Sequence, residues 1–364
     1  MVKIKYISFE DNARIIVISD IHGMYHILDS LLKKIDYHSG IDYLLLLGDF
    51  AQRGKYPLKT LRYIMDLTKN DRVYALLGNH DHGNYKIFKE KYLNNEFNEY
   101  LTKPTTVLYD MYEEYKLYNK NAADLDLATL QKELRKYFDK EISFLLDLPL
   151  MIESEDHIFV HAGLDKIRDY QKSYYRTVFM KRYFYYQGHL ADKVVVCGHM
   201  PVTIYAKDEF NDNIIIDLKK KIISIDGGLV IKEGGQLNAL IINKHHDIYT
   251  YDCVYETDFS KKALINDSIQ NNQGKGVCWP NYEVTLIEKG DYFSKIMINA
   301  TKEITYIKNE YLINDNQSAY DDCPAKVLGI KKGEMVEIIN DSCSGYTLVK
   351  YKGKQGWIKK GDLK

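Results

Sequence analysis

Residues 14–23 read RIIVISDIHG, an unbroken apolar run (Ile15–Ile18) closed by Ser19, Asp20, His22 and Gly23. A run this short and apolar at successive positions describes a strand buried on both faces, and its carboxyl end opens onto polar residues able to bind a metal or a phosphate. The design recurs in YLLLLGD (43–49), VYALLGN (73–79), HIFVHAG (157–163), KVVVCGH (193–199) and IISID (222–226). Between these runs lie helical patterns. Leu127, Leu130, Leu134, Phe138, Ile142 and Leu145, spaced by three or four, predict a helix packed on the core. Strands alternating with helices predict a layered α/β domain, in which sites gather where strands end at their carboxyl edge.

The chain has 364 residues, which suggests two or three domains. Its 50 basic and 51 acidic side chains nearly cancel, so no global field draws it to nucleic acid or an anionic membrane, and neither duplex binding nor membrane association is expected. The first twenty residues carry charges throughout, and neither a secretory signal nor a membrane span is read there, so a cytoplasmic location is expected. Cys197, Cys253, Cys278, Cys323 and Cys343 are odd in number and form no CxxC pair, which predicts reduced thiols and no thiolate metal site.

The texture changes after about Tyr255. NDSIQNNQGKG (266–276) reads as a loop or linker, and helical periodicity disappears beyond it. Two segments of equal length, starting at Glu283 and Glu334, share a pattern of strand, turn, strand, turn, and an aromatic before Ile307 or Ile358. Both predict small antiparallel barrels. The expected division is 1–255 for the α/β domain, then β domains at 256–316 and 317–364.

Six polar residues follow the strand ends. Asp20 and His22, two apart on an extended segment, point the same way and can grip one ion. The carboxylate of Asp49 can bridge two ions, and Asn79, His161 and His199 suit the second. Mixed oxygen and nitrogen donors favour manganese, with iron or zinc as alternatives, over calcium. Two such cations would supply a bridging hydroxide for direct attack on phosphorus and neutralise the phosphate oxygens. His80, beside Asn79, is positioned to give a proton to the leaving oxygen, and Arg53 to clamp non-bridging oxygens.

At these residues the sequence resembles the phosphoprotein phosphatase family within the calcineurin-like metallophosphoesterases. The motifs stand in family order as SDIHG, GDFAQRG, GNHDHG, HAG and GHM, and the likeness runs from about Ile15 to Gly228, with LLDLPL before FVHAGL and ISIDGG near its end. The resemblance implies a four-layer α/β/β/α sandwich. It implies Asp20, His22, Asp49, Asn79, His161 and His199 as metal ligands, His80 as general acid, and Arg53 with Asn79 at the phosphate. It also implies a second anchoring arginine, for which Arg176 is chosen over Arg168 and Arg182. The implied activity is that of a bacterial serine/threonine protein phosphatase, with symmetrical diadenosine tetraphosphate hydrolysis as the alternative and a metal-binding regulatory protein of little turnover as a third reading. The substrate is accordingly a phosphoprotein or a phosphorylated nucleotide.

One departure bears on that choice. Most protein phosphatases carry an aspartate where this chain has Gln52, and a neutral amide cannot stabilise an imidazolium at His80 as a carboxylate would. Either His80 is a weaker acid or Asp81 assists it; the dinucleotide hydrolases likewise lack an acid at this position. The C-terminal segment resembles bacterial SH3-like domains, through KKGEMVEII, Tyr346 and GKQGWIKKGDL. That implies a peptide partner, with Tyr346 and Trp357 as groove candidates and Trp357 expected in the core. Removing the residues after Tyr255 is expected to leave hydrolysis of a small aryl phosphate intact.

Overall fold

The computed structural model describes residues 2–83, 94–271 and 273–364. Each of the six apolar runs becomes a strand that stops short of its glycine or acid. In chain order the strands up to residue 256 are β1 (Ile4–Tyr6), β2 (Arg14–Ile18), β3 (Tyr43–Leu46), β4 (Val73–Ala75), β5 (Met151–Glu153), β6 (His157–Val160), β7 (Val194–Cys197), β8 (Phe210–Asn211), β9 (Ile215–Asp217), β10 (Ile222–Ser224), β11 (Leu237–His245) and β12 (Ile248–Glu256). One sheet has the order β12-β11-β2-β3-β4 and a second β1-β5-β6-β7-β10-β9. The middle pairs are parallel: β2 with β3, β3 with β4, β6 with β7, and β7 with β10.

Burial on both faces explains why these runs carry no alternation. Ile15 and Val17 join Leu45, Phe159, Val196 and Ile223 in a core shared by the two sheets. Their neighbours Ile16 and Ile18 point the other way, to a core with Leu28, Leu31 and Leu61 from helices α1 (Tyr25–Lys34) and α2 (Pro57–Leu67). Ile158, Val160 and Val195 on the outer face of the second sheet pack against Val178, Phe179 and Phe184. The period of two thus divides each strand between two cores, and the result is a mixed α/β fold.

Helices α3 (Asn94–Thr102), α4 (Val107–Tyr118), α5 (Leu127–Tyr137) and α6 (Asp139–Asp147) follow, and residues 79–83 are also helical. Leu130, Leu134, Phe138, Ile142 and Leu145 are all buried in the helix-side core. The stripe is nevertheless two helices: Phe138, at φ −101° and ψ 32°, interrupts it. Asp126 caps α5 by accepting the N–H groups of Ala128 and Thr129, each at 3.1 Å. Among the described residues no helix is long and apolar enough to cross a membrane.

By their contacts the residues form two compact units, one of Met1–Met200, Ile214–Val230 and Leu237–Glu256, the other of Pro201–Asn213, Ile231–Gln236 and Thr257–Lys364. A cut after Tyr255 would therefore divide the second unit, which corrects the expectation of a freely removable tail. Its remaining strands are β13 (Lys261–Ala263), β14 (Gly276–Val277), β15 (Val284–Glu288), β16 (Phe293–Ile298), β17 (Ile304–Lys308), β18 (Leu312–Ile313), β19 (Ser318–Ala319), β20 (Cys323–Pro324), β21 (Met335–Asn340), β22 (Tyr346–Tyr351) and β23 (Lys354–Lys359). The two look-alike segments are two antiparallel meanders, β15-β16-β17 and β21-β22-β23, each followed by a 3-10 turn. They share one core, in which Ile296 and Ile307 meet Leu348 and Trp357. Trp357 is fully buried and its indole N–H donates to the Pro324 carbonyl at 2.6 Å.

Short β8 joins the same sheet by pairing with β23. Beside it, Lys350 Nζ, with no exposed surface, donates to Asp212 at 2.8 Å and Gln236 at 2.6 Å, while the Gln355 amide donates to Asp212 at 2.5 Å. Burial depresses the Lys350 pKa and raises that of Asp212, so each partner keeps its charge largely because of the other.

Candidate metal centre

The ends of β2, β3 and β7 are stitched together by backbone. Asp20 N–H donates to the Gly48 carbonyl at 3.1 Å, His22 N–H to the Asp49 carbonyl at 2.9 Å, and His199 N–H to the Asp20 carboxylate at 3.0 Å. A Cβ at Gly78 would strike the Asp49 carboxylate, and one at Gly198 the carboxylate of Asp20, so both positions require glycine for the close approach. Asp20, His22, Asp49, Arg53 and His199 all hold left-handed backbone, with φ of 55°, 46°, 55°, 75° and 67°. Non-glycine residues in this region concentrate where surrounding structure holds them for a function.

Asp81 does much of this holding. Fully buried, it accepts N–H groups from Asp49 at 2.6 Å, Phe50 at 3.0 Å, Gly78 at 3.2 Å and Ala51 at 3.4 Å. Burial and nearby Asp49 raise its pKa to about 7, and the backbone donors oppose that rise. Its carboxylate is committed to the loops after β3 and β4, a role that the sequence reading, which offered it as an aid to His80, did not foresee.

Buried Asp20, His22 and Asp49 each place a ligand atom within 4.8 Å of the others. Asp49 also belongs to a second group: its Oδ2 lies 3.4 Å from His161 Nε2, which is 2.9 Å from Asn79 Oδ1. His161 Nδ1 faces the Leu47 carbonyl at 2.8 Å, and since a carbonyl only accepts, that nitrogen carries a proton and Nε2 is the one turned to the cluster. The His199 ring lies 5.1 Å from that of His161. His22 turns its Nε2 to Asp20 Oδ1 at 3.8 Å, and His199 Nε2 is buried with no hydrogen-bond partner, a costly state that a bound cation would relieve. The donor set of carboxylate, amide oxygen and imidazole suits borderline divalent ions, so the residues present fit such a group.

Residues 13–231 match the family model described as calcineurin-like phosphoesterase. The chain belongs to this family. Among curated relatives, a symmetrical bis(5'-nucleosyl)-tetraphosphatase of Buchnera aphidicola is 40% identical over 88 residues, covering 23% of this chain and 32% of that protein. The same-named protein of Escherichia coli K12 is 45% identical over 65 residues, 18% and 22% of the two chains. The matches thus span a third or less of these relatives' lengths. Solved structures that resemble the chain include a putative diadenosine tetraphosphatase, at 19% identity and a TM-score of 0.45, covering 71% of this chain and all of that one. A serine/threonine phosphatase of Saccharomyces cerevisiae with similarity to human PP5 follows at 13% identity and 0.43, covering 71% and 86%.

In this calcineurin-like phosphoesterase the electrostatics divide the histidines. Burial lowers the pKa of His22 and His199 to about 3, leaving neutral rings with lone pairs to donate. His161 goes the other way, to about 10: burial opposes its charge, but Asp49 and Asp20 hold the proton. Burial likewise opposes the charge of Asp49, yet His161, His80 and His22 keep that carboxylate below its usual range. Burial raises Asp20 to about 6 and Asp226, whose Oδ1 accepts the Gly228 N–H at 2.7 Å, well above the usual range. Cation binding would displace the His161 proton, the usual coupling of metal affinity to pH.

His80 sits at the edge of the cluster. Its backbone N–H donates to Asp49 Oδ1 at 2.8 Å, and its Nε2 accepts Arg53 Nε–H at 3.0 Å. Burial lowers its pKa, and the charges of Arg53, His161 and Lys103 add to the effect against Asp49. Gln52 is buried and forms a bridge with Thr106. Of the arginines considered for a second anchor, Arg182 is near enough for its charge to act on His199. Arg176 and Arg168 are exposed, Arg176 at the start of the four-residue helix Thr177–Met180.

Proposed function

We propose that the chain hydrolyses phosphate esters or anhydrides with two divalent cations held by Asp20, His22, Asp49, Asn79, His161 and His199. The convergence of these six residues, with the buried His199 Nε2 unpartnered, is the observation that carries this reading. When bound, the cations would neutralise phosphate oxygens and lower the pKa of the attacking water. Asp49, shared by both groups of donors, is the residue suited to bridge them. The Arg53 guanidinium would take the non-bridging oxygens. In doing so it would leave His80 Nε2, freeing that nitrogen to take up a proton from solvent and hand it to the leaving oxygen. Arg182 is a better candidate than Arg176 for the second phosphate anchor. The two sheets with helices outside each support a four-layer sandwich, and the two meanders support SH3-like barrels.

Two substrate classes follow. Serine/threonine phosphoproteins rank first on sequence, through FVHAGL, LPL and GHMPV. Symmetrical dinucleoside tetraphosphates are favoured by Gln52, since a phosphate leaving group needs less help from a protonated His80, and by the relatives of that name. Manganese-dependent initial rates on a phosphothreonine peptide and diadenosine tetraphosphate, measured side by side, discriminate them. Asp49→Asn is expected to lower either rate by orders of magnitude, and a normal rate in that variant would end the two-cation reading.

A further inference from the structure

We propose that the cleft beside His80 is a subsite for the rest of a nucleoside polyphosphate, and that Lys103 is its specificity-determining charge. The inference rests on the phosphoesterase reading above. The cleft measures about 300 Å³, and His80 and Arg53 line it together with Glu99, Tyr100 and Lys103. That is the small end of the roughly 300 to 1,000 Å³ typical of small-molecule sites. It suits part of a nucleotide better than an extended peptide.

Lys103 stands on a turn with little freedom. Thr106 closes the turn: its hydroxyl donates to the Tyr100 carbonyl at 2.6 Å and accepts the Tyr109 N–H at 3.1 Å, capping α4. The same turn is tied to the phosphate-anchoring loop, because Arg53 N–H donates to the Thr105 carbonyl at 2.7 Å and Gln52 bridges with Thr106. The Lys103 and Arg53 backbones are therefore held in one register, as a site that measures a substrate requires.

The chemistry of Glu99, Tyr100 and Lys103 indicates the ligand. A monoester brings one phosphoryl group, which the cation ligands and Arg53 engage, and it has no second anion for Lys103. A phosphate chain has one. Glu99 would repel phosphate but accept hydroxyl or amino donors, and Tyr100 brings an aromatic ring to the lining, so the pair fits a ribose and base beyond the chain.

The test compares wild type with Lys103→Gln and Lys103→Arg on diadenosine tetraphosphate and on a small aryl phosphate, with calorimetric binding of inorganic tripolyphosphate and orthophosphate to the metal-free proteins. Lys103→Gln is expected to lower kcat/KM on the dinucleotide by about 10- to 100-fold, the loss of one charge-assisted contact, chiefly through KM. The aryl phosphate should suffer far less, Lys103→Arg should retain most activity on both, and tripolyphosphate affinity should fall while orthophosphate affinity does not. Equal losses on both substrates, or none on either, would overturn the assignment. If the wild type hydrolyses neither substrate, the phosphoesterase reading fails, and the tripolyphosphate measurement decides the role of Lys103 by itself.

Discussion

Replacing Asp81 by asparagine keeps shape and volume but removes a charge and one acceptor. Oδ2 of Asp81 accepts the N–H groups of Asp49 at 2.6 Å and Gly78 at 3.2 Å, and Oδ1 those of Phe50 at 3.0 Å and Ala51 at 3.4 Å. An amide would put its oxygen toward the shorter pair and turn its NH2 group against the N–H of Phe50, donor facing donor. Hydrogen bonds to a charged group contribute about 1.5–3 kcal/mol each and neutral ones about 1 kcal/mol. Above pH 7, where Asp81 is ionised, losing the Phe50 bond, the long Ala51 contact and the charge on the retained pair comes to about 3 kcal/mol. At roughly 2–4 °C per kcal/mol for a domain of this size, the melting transition should fall by about 6–12 °C. Scanning calorimetry in chelator measures this without a metal contribution. Because the N–H of Asp49 is one of the four donors, manganese affinity should also weaken, by about 10- to 100-fold as for other supports of metal ligands. A variant that melts with the wild type and binds manganese as tightly would refute the view that Asp81 holds the site together.

Other expectations are as specific. Arg182→Ala should raise KM for a phosphorylated substrate several-fold while Arg176→Ala changes it little, and the reverse pattern in steady-state rates would restore Arg176 as the anchor. Lys350→Met should destabilise the second unit by about 3–5 kcal/mol by stranding a buried Asp212, with Lys350→Met/Asp212→Leu regaining most of it; urea titrations of both variants decide this. His157 is buried with Nε2 3.0 Å from Tyr251 Oη, and burial lowers its pKa from 6.5 to about 4. Its folded pKa lies below the unfolded one, so its neutral form stabilises the fold fully above pH 6.5. That stability, about 3 kcal/mol, drains away as pH falls toward 4. Stability against pH in chelator should therefore be flatter for His157→Asn than for wild type, and parallel curves would exclude the effect.

The strand ends were legible in the sequence because double-sided burial demands continuous apolar runs, and the glycine or acid that closes each run is where pairing stops. The proximity of Asp20, Asp49 and His161 followed from placing the carboxyl ends of these strands, which belong to two sheets, around one site. Other features carry no local mark. Asp81 looks like any loop acid until the backbone of residues 49–51 is folded over it. The hairpin of β11 and β12 hides because its outer strand, IYTYDCVYE, is mostly half-exposed or exposed and reads as mixed. The break at Phe138 leaves the apolar spacing intact, so periodicity runs straight across it. Nothing in Pro201–Asn213 or Ile231–Gln236 announces membership of a unit whose other residues begin at Thr257, because the buried charge of Asp212 is answered by Lys350 and Gln355, far along the chain.

That last pairing has a consequence for synthesis. Asp212 and Lys350 are separated by 138 residues. At roughly 5–20 residues per second, a ribosome makes the carboxylate about 7 to 28 seconds before its lysine. Over that interval β8 has no partner strand and its neighbouring acid must stay hydrated, so this part of the chain waits in an open form, exposed to proteases and chaperones, until translation has passed β23 at residue 359. A premature stop anywhere in the last meander would leave that wait without an end.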